Sequence, residues 1–345
     1  MKKLLVVILM FMMVFGSVAC QATEDAPVVE EPVAEEPVVE EPVEEPLKVA
    51  ALLSGPINDM GWNASAYEGL LMLEDSYGCE ISYLENVAQS DMEENFRNYA
   101  LQGYDVIFGH GFQFGDAATK VAAEFPDTDF IIISSDISNG TNLGSANTKN
   151  EDQGFIAGAL AAMISETGMV AGLGGMDIPP IRSSVVGFAA GAKYINPDIE
   201  VKTVLTGSND DVGKAKETAL ALIDDGVDVI FANANQAGLG SIEACQDRGV
   251  WSIGSNQDQN PSAPETVVQS IIKSTPQLFN YVVGLIVDGT YEAKFHGLGV
   301  KEGAIFLSDW HGFDETFPEA VAELDEVIQG LADGSIQYDP SEYDF

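Results

Sequence analysis

The sequence predicts an α/β protein built from two doubly wound, parallel-sheet lobes, and three observations lead to this fold class. From residue 47 onward, short continuous apolar runs alternate with helical segments, which is typical of strands buried on both faces of a parallel sheet. The pattern of the first half returns in the second half at an offset of 123 residues. A chain of 345 residues is also long enough for two domains of ordinary size.

The first half alternates strand and helix in the order βαβαβαβ. Strands are predicted at residues 49–53, 81–84, 106–109 and 130–134, and helices at residues 66–77, 92–102 and 117–125. Right-handed crossovers between parallel strands would assemble these segments into one open sheet. In such a sheet, ligands bind at the carboxyl ends of the strands.

The repeat is clearest around one strand of each half. Residues 103–108 read GYDVIF, and residues 226–231 read GVDVIF. A period this long indicates two related lobes and not the short units of a solenoid. The crevice between two such lobes is the expected site for a small molecule.

Charge and cysteine content exclude several classes of protein. Lys+Arg number 15 against 55 Asp+Glu, so the net charge of −40 repels nucleic acid and anionic lipid. The three cysteines, Cys20, Cys79 and Cys245, are too few for a disulfide scaffold and are not spaced as a zinc site. We expect no metal, no cofactor and no nucleic-acid partner.

The amino terminus predicts export from the cytoplasm. Residues 1–19 combine two lysines, an apolar run at 4–15 and small residues before Cys20, as in a secretory signal peptide. The apolar run is too short to span a bilayer as a helix. Small residues directly before a cysteine resemble a lipoprotein processing site, so we expect lipidation of Cys20 and anchoring to the outer face of the cell membrane. The alternative is plain secretion, with Cys20 as an unmodified thiol.

Residues 20–46 predict an extended tether. Between residues 21 and 46 the chain repeats Glu-Glu-Pro and carries ten acidic residues and no basic one. Proline interrupts helix and sheet hydrogen bonding, and like charges extend the chain. The segment would hold the folded part away from the membrane; an acidic recruitment tail is the rival interpretation.

The loop at residues 54–63 carries groups able to bind a small molecule. It follows the first strand and leads into a helix, which places it at the carboxyl edge of the first sheet. Asp59 and Asn63 can hydrogen-bond polar ligand atoms, and the Trp62 indole can stack on a flat ring. Structural roles stay open, because Asp59 or Asn63 could cap the helix and Trp62 could belong to the core.

Four motifs occur in a fixed order along the chain. They are residues 58–63 with 67–69, residues 102–109 (QGYDVIFG), residues 174–179 (GGMDIP) and residues 187–191. Together they resemble the basic membrane protein family of solute-binding lipoproteins, over residues 47–310. Well-known members are purine nucleoside receptors of ABC importers.

The resemblance implies a type I periplasmic-binding fold with a hinge. The first lobe would comprise residues 47–166 plus about 275–312, and the second lobe residues 167–274 plus about 313–345. Crossings near 166–170 and 273–277 would form the hinge. The helix at 276–287 would return to the first lobe, and the helix at 319–331 would cover the second.

The resemblance also implies the ligand contacts. Asp59 and Asn63 would bind polar ligand edges, and Trp62 stands where the family commonly has a stacking phenylalanine. The other implied ligand residues are Phe112, Asp116, Asp177, Asn256, Asp258 and Lys273. Two positions depart from the family pattern: Asn256 replaces a more usual aspartate, and Asn209 replaces the second stacking aromatic. A stack on one face only, or an aromatic from elsewhere such as Trp310, could still hold a base. A smaller or more polar ligand could use Asn209 instead.

We therefore expect a monomeric, non-enzymatic receptor that captures a nucleoside, with purine expected, and passes it to an ABC permease in the membrane. A sugar or other small solute on the same fold is the nearest alternative. A sensory receptor would need the same two-lobed site, so the sequence does not separate sensing from transport. A nucleoside hydrolase is disfavoured, because Asp210 and Asp211 form the only adjacent carboxylate pair in a suitable loop.

Overall fold

Twelve strands form two sheets in the computed structural model, which describes residues 45–58 and 62–343. The first sheet contains β1 (Lys48–Leu53), β2 (Glu80–Leu84), β3 (Val106–His110), β4 (Asp129–Ile133), β5 (Leu143–Thr148) and β11 (Phe295–Leu298). The second sheet contains β6 (Met169–Gly174), β7 (Glu200–Leu205), β8 (Val229–Asn233), β9 (Trp251–Asn256), β10 (Val267–Lys273) and β12 (Ile305–Leu307).

The two sheets have the same strand order and differ in the direction of one edge strand. Strand order is β11-β5-β4-β3-β1-β2 in the first and β12-β10-β9-β8-β6-β7 in the second. Every strand pairing is parallel except that of β10 with β12. The predicted pair of doubly wound lobes is therefore confirmed, and β5 and β11 are additional strands of the first sheet. Below, lobe 1 is the first sheet with its helices, and lobe 2 is the second.

The described helices cover both faces of each sheet. Their bounds are α1 (Trp62–Tyr77), α2 (Met92–Leu101), α3 (Gly115–Ala122), α4 (Asn150–Ile164), α5 (Pro179–Ile195), α6 (Val212–Asp224), α7 (Gly238–Arg248), α8 (Thr275–Val287), α9 (Phe313–Thr316) and α10 (Pro318–Asp333). In lobe 1, the core beneath α1 and α8 contains Phe108 and Phe279, and the core beneath α2 and α3 contains Phe96 and Phe130. Burial on both faces explains why the strands are continuous apolar runs.

Two helices cross between the lobes. Helix α4 follows β5 of lobe 1 directly, yet its Phe155 and Leu160 lie in the core of lobe 2 with Phe188 and Val229. Helix α8 follows β10 of lobe 2 and packs on α1, as expected for a helix that returns to lobe 1. Helix α10 packs on α4 and covers lobe 2, also as expected.

The observed packing places two lobe boundaries elsewhere than the resemblance implied. Helix α4 falls before the implied boundary at residue 166, and β12 falls before the one at residue 312, but both belong to lobe 2 by their contacts. Every α4 residue from 153 to 161 is buried, so this part of the helix has no polar face to indicate which sheet it covers.

Glycines allow α4 and α5 to pack backbone against backbone. A Cβ added at Gly158 would lie 1.9 Å from the Phe188 carbonyl oxygen, and one at Gly191 would lie 1.9 Å from the Phe155 carbonyl oxygen. No side chain fits at such a distance. This packing anchors the crossing helix firmly in lobe 2.

Candidate ligand site at the carboxyl edges of the sheets

The described chain crosses between the lobes three times, and the first two crossings start from the carboxyl edges of the sheets. Strand β5 ends at Thr148 and α4 begins at Asn150, while β10 ends at Lys273 and α8 begins at Thr275. Such short connections bring the carboxyl edge of each sheet towards the other lobe. The Lys273 Nζ atom donates a hydrogen bond to Asn150 Oδ1 at 2.8 Å, which joins the two crossings directly. The candidate site is therefore the set of loops that follow the strands at these edges.

Trp62 forms a flat platform at the start of α1. Its indole stacks on the His110 ring, with 3.9 Å between ring centroids and 21° between planes. His110 is fully buried, and its Nε2 atom lies 2.8 Å from the Trp62 carbonyl oxygen. Trp62 itself is 39% exposed. The indole is thus held on one side and remains accessible to solvent, which argues against a core role.

The Asn63 side chain holds the preceding loop. Asn63 is buried, and its Oδ1 atom accepts a hydrogen bond from the Gly55 backbone N–H at 3.2 Å. Asp59, also predicted to contact the ligand, lies outside the described residues, as does Cys20 with nearly all of the predicted tether.

Exposed apolar side chains follow four strands at the carboxyl edges. In lobe 1, Phe112 follows β3 and is 70% exposed, in addition to Trp62. In lobe 2, Met176 follows β6 and is 45% exposed, and Leu239 follows β8 and is 37% exposed. Phe112 was predicted, whereas Met176 and Leu239 were not singled out from the sequence. Asp116, also predicted, is exposed in the first turn of α3.

Asp177 and Asn209 both have partners within lobe 2. The Arg182 guanidinium donates to the two Asp177 carboxylate oxygens at 3.0 and 2.8 Å and lowers the pKa of that carboxyl. A cavity of about 350 Å³ adjoins this ion pair, lined by Pro179, Ser183, Val186, Pro340 and Ser341 as well. Asn209 Oδ1 accepts from the Met176 backbone N–H at 3.0 Å, so this side chain supports a neighbouring loop.

A buried amide network lies behind the carboxyl edge of lobe 2. Gln153 of α4 donates through Nε2 to the Ile271 carbonyl oxygen at 2.8 Å and to Asn256 Oδ1 at 3.3 Å. Gln153 Oε1 accepts from Ser184 Oγ at 3.2 Å and from Asn233 Nδ2 at 3.5 Å. The network fixes Asn256, a predicted ligand residue with a left-handed φ of 69°, from behind.

Asp258 and Lys273 supply charge at the same edge. Asp258 Oδ2 lies 2.7 Å from His311 Nε2, a pairing that no local sequence pattern indicates. Burial lowers the pKa of Lys273 to about 8, because an ammonium loses hydration energy where water is scarce. The edge of lobe 2 thus presents amide, carboxylate and ammonium groups, which suit a ligand with several hydroxyl groups.

A family model matches residues 47–331, which is most of the chain, and its description is "ABC transporter substrate-binding protein PnrA-like" (Bmp). The chain belongs to this family. The predicted resemblance is confirmed. ABC substrate-binding proteins work outside the cytoplasm, and none of the described helices is long and apolar enough to cross a membrane.

Curated relatives of the chain carry names of more than one kind. The chain is 29% identical to a purine-binding protein of Brucella abortus, with 83% of this chain and 82% of the relative covered. It is also 29% identical to the nucleoside-binding protein BmpA of an ABC transporter in Lactococcus lactis, covering 81% and 85%. The transcriptional activator protein med of Bacillus subtilis is 28% identical, covering 80% and 87%.

A solved solute-binding protein has the same fold. The structure from Aeropyrum pernix, described as part of an ABC transporter system, superposes with a TM-score of 0.71 at 24% identity. The match covers 86% of this chain and 94% of that one. The two-lobed architecture is thus that of known solute-binding proteins.

Proposed function

We propose that this protein captures a nucleoside, with a purine base, between its two lobes and delivers it to an ABC importer. The observation that carries the proposal is Trp62, a solvent-accessible indole held flat on buried His110 at the carboxyl edge of lobe 1. A rigid aromatic face in this position suits a planar base. The relatives named for purine and nucleoside binding support the same ligand class.

The lobes would divide the ligand between them. The base stacks on Trp62 of lobe 1, and the ribose hydroxyls bond to Asn256, Asp258 and Lys273 of lobe 2. Contacts made to both lobes at once stabilise the closed form over the open form, and only such differential binding shifts the population. The remaining proposed contacts are those predicted from the sequence: Asp59, Asn63, Phe112, Asp116, Asp177 and Asn209.

The protein would act at the cell surface without converting its ligand. Lipidated Cys20 would anchor the chain, and residues 20–46 would act as a tether for a monomeric receptor. Binding without turnover is expected because transport requires release of the unchanged solute. Chromatography of a nucleoside incubated with the protein should show no free base accumulating with time; steady release of base would support a hydrolase.

Thermal unfolding with a panel of nucleosides, free bases and sugars tests the ligand class. A ligand that binds the folded state raises its stability by RT ln(1 + [L]/Kd). We expect purine nucleosides to give the largest rise in melting temperature, with dissociation constants then measured by calorimetry. Stabilisation by sugars alone would contradict the nucleoside assignment and support the sugar-receptor alternative.

A signalling role is the second candidate, because one relative is named as a transcriptional activator. Import and signalling predict the same binding panel but different cellular outcomes. Deleting this protein should abolish uptake of labelled purine nucleoside if it serves an importer. Unchanged uptake together with altered gene expression would favour signalling.

A further inference from the structure

The loop that contains Met176 is fixed through its backbone. The Met176 N–H donates to Asn209 Oδ1 at 3.0 Å, and the Met176 carbonyl oxygen accepts from the Ile178 N–H at 3.0 Å. The backbone of Asn209 is itself held, because its main-chain carbonyl oxygen accepts a hydrogen bond from the Ala237 N–H at 2.9 Å. A Cβ at Gly175 would lie 1.9 Å from Asn209 Oδ1, so the asparagine packs tightly against this loop. Asn209 therefore positions Met176.

The Met176 side chain is exposed although its backbone is fixed. It is 45% exposed, at the carboxyl end of β6. An exposed thioether in a rigid loop at a candidate site is an available apolar surface. Asn209 was predicted as a ligand contact in place of a missing aromatic. Its side-chain oxygen Oδ1 already accepts the hydrogen bond that holds this loop.

Strand order gives Met176 the same position in lobe 2 that Trp62 has in lobe 1. Strand β1, which precedes Trp62, is three strands from β5, the strand at the first crossing. Strand β6, which precedes Met176, is likewise three strands from β10, the strand at the second crossing. When two lobes with the same strand order close at their carboxyl edges, loops that follow strands at equal distance from the crossing strands face each other. The same argument pairs Phe112 after β3 with Leu239 after β8.

We propose that Met176 forms the second face of the ligand slot, opposite Trp62, and so determines which ring is accepted. This inference rests on the proposed function and extends it to a residue outside the predicted set. A thioether is polarizable and packs well on an aromatic ring, yet its three rotatable bonds let it adapt to rings of different outline. The slot therefore has one rigid face, Trp62, and one adaptable face, Met176, and tolerates substituted bases better than two aromatic faces would.

Met176→Ala, Met176→Phe and a matched control test the inference. Sulfur–aromatic contacts of this kind correspond to about a 2- to 12-fold change in affinity. We expect Met176→Ala to weaken inosine binding in calorimetry by that factor. Met176→Phe should restore affinity for inosine while losing tolerance for bulky substituted purines. The control is Leu101→Ala, an exposed apolar residue at the end of α2, which should bind as the unaltered protein does.

The outcomes separate this inference from the proposed function. If the unaltered protein binds inosine and Met176→Ala binds it equally well, the role of Met176 is refuted and the nucleoside receptor stands. If only a sugar binds and Met176→Ala weakens it, the nucleoside assignment falls and Met176 keeps its role. If no panel member binds, both are overturned.

Discussion

Replacing Trp62 with alanine removes the aromatic platform while leaving the sheet intact. Stacking of one base on one aromatic side chain contributes about 1–3 kcal/mol, which corresponds to about a 5- to 150-fold loss of affinity. The indole is 39% exposed and stacks on His110, so it is already ordered before the ligand arrives. Little ordering entropy is then lost on binding, and we expect the upper half of that range.

Calorimetric titration of a purine nucleoside measures this loss directly. Trp62→Phe should retain most of the affinity, because it keeps an aromatic face. Trp251→Phe is a matched control: Trp251 packs edge-on against Phe313 and Phe317 in lobe 2, so this change should alter stability and leave affinity unchanged. An affinity of Trp62→Ala within twofold of the unaltered protein, with the fold intact by circular dichroism, would refute the stacking role.

Four further perturbations test other parts of the structure. Gly158→Ala forces a methyl group against the α5 backbone, so the free energy of unfolding measured in denaturant should fall by about 1–3 kcal/mol. Gly213→Ala is the control: the nearest atom to the added methyl group would lie 3.6 Å away, so no such loss is expected. Burial raises the pKa of Asp152 to about 6, so between about pH 4 and 6 the folded state holds a proton that the unfolded state has lost. The free energy of unfolding should therefore fall as pH rises from about 4 to 6, and Asp152→Asn should flatten that dependence. Burial lowers the pKa of Lys273 to about 8, so affinity should fall above pH 8, and Lys273→Met should bind more weakly with no such fall. Cys20→Ser should move the protein from the membrane to the soluble fraction, and continued membrane association would contradict lipidation.

Most of the fold followed from local sequence patterns. Continuous apolar runs identified β1, β3 and β4, and the GYDVIF repeat identified β8 as the counterpart of β3. Strand β5 was missed, because its residues 143–148 (LGSANT) contain few large apolar side chains, although the first four are buried. The placement of α4 could not be predicted, since its burial on all sides depends on tertiary packing with α5 and not on its own periodicity.

The candidate site was only partly predictable. Trp62 was singled out because its sequence neighbours are polar or glycine, whereas Phe112 came from the family resemblance. The structure leaves both side chains exposed. Gln153 and Ser184 were missed, because both lie inside helices and become neighbours only when α4 packs on α5. The pairing of His311 with Asp258 joins loops 53 residues apart, and no local pattern indicates it. These contacts join residues that are far apart in the sequence, and local patterns do not predict them.

Ligand-dependent closure of the lobes is the central physical claim. Spin labels at Gln89, beyond β2, and at Asp210, beyond β7, would report the separation of the two lobes at the edge far from the crossings. Both residues are exposed. We expect pulsed electron paramagnetic resonance to show a shorter and narrower distribution of label-to-label distances when a saturating purine nucleoside is added. An identical distribution with and without bound ligand would contradict closure.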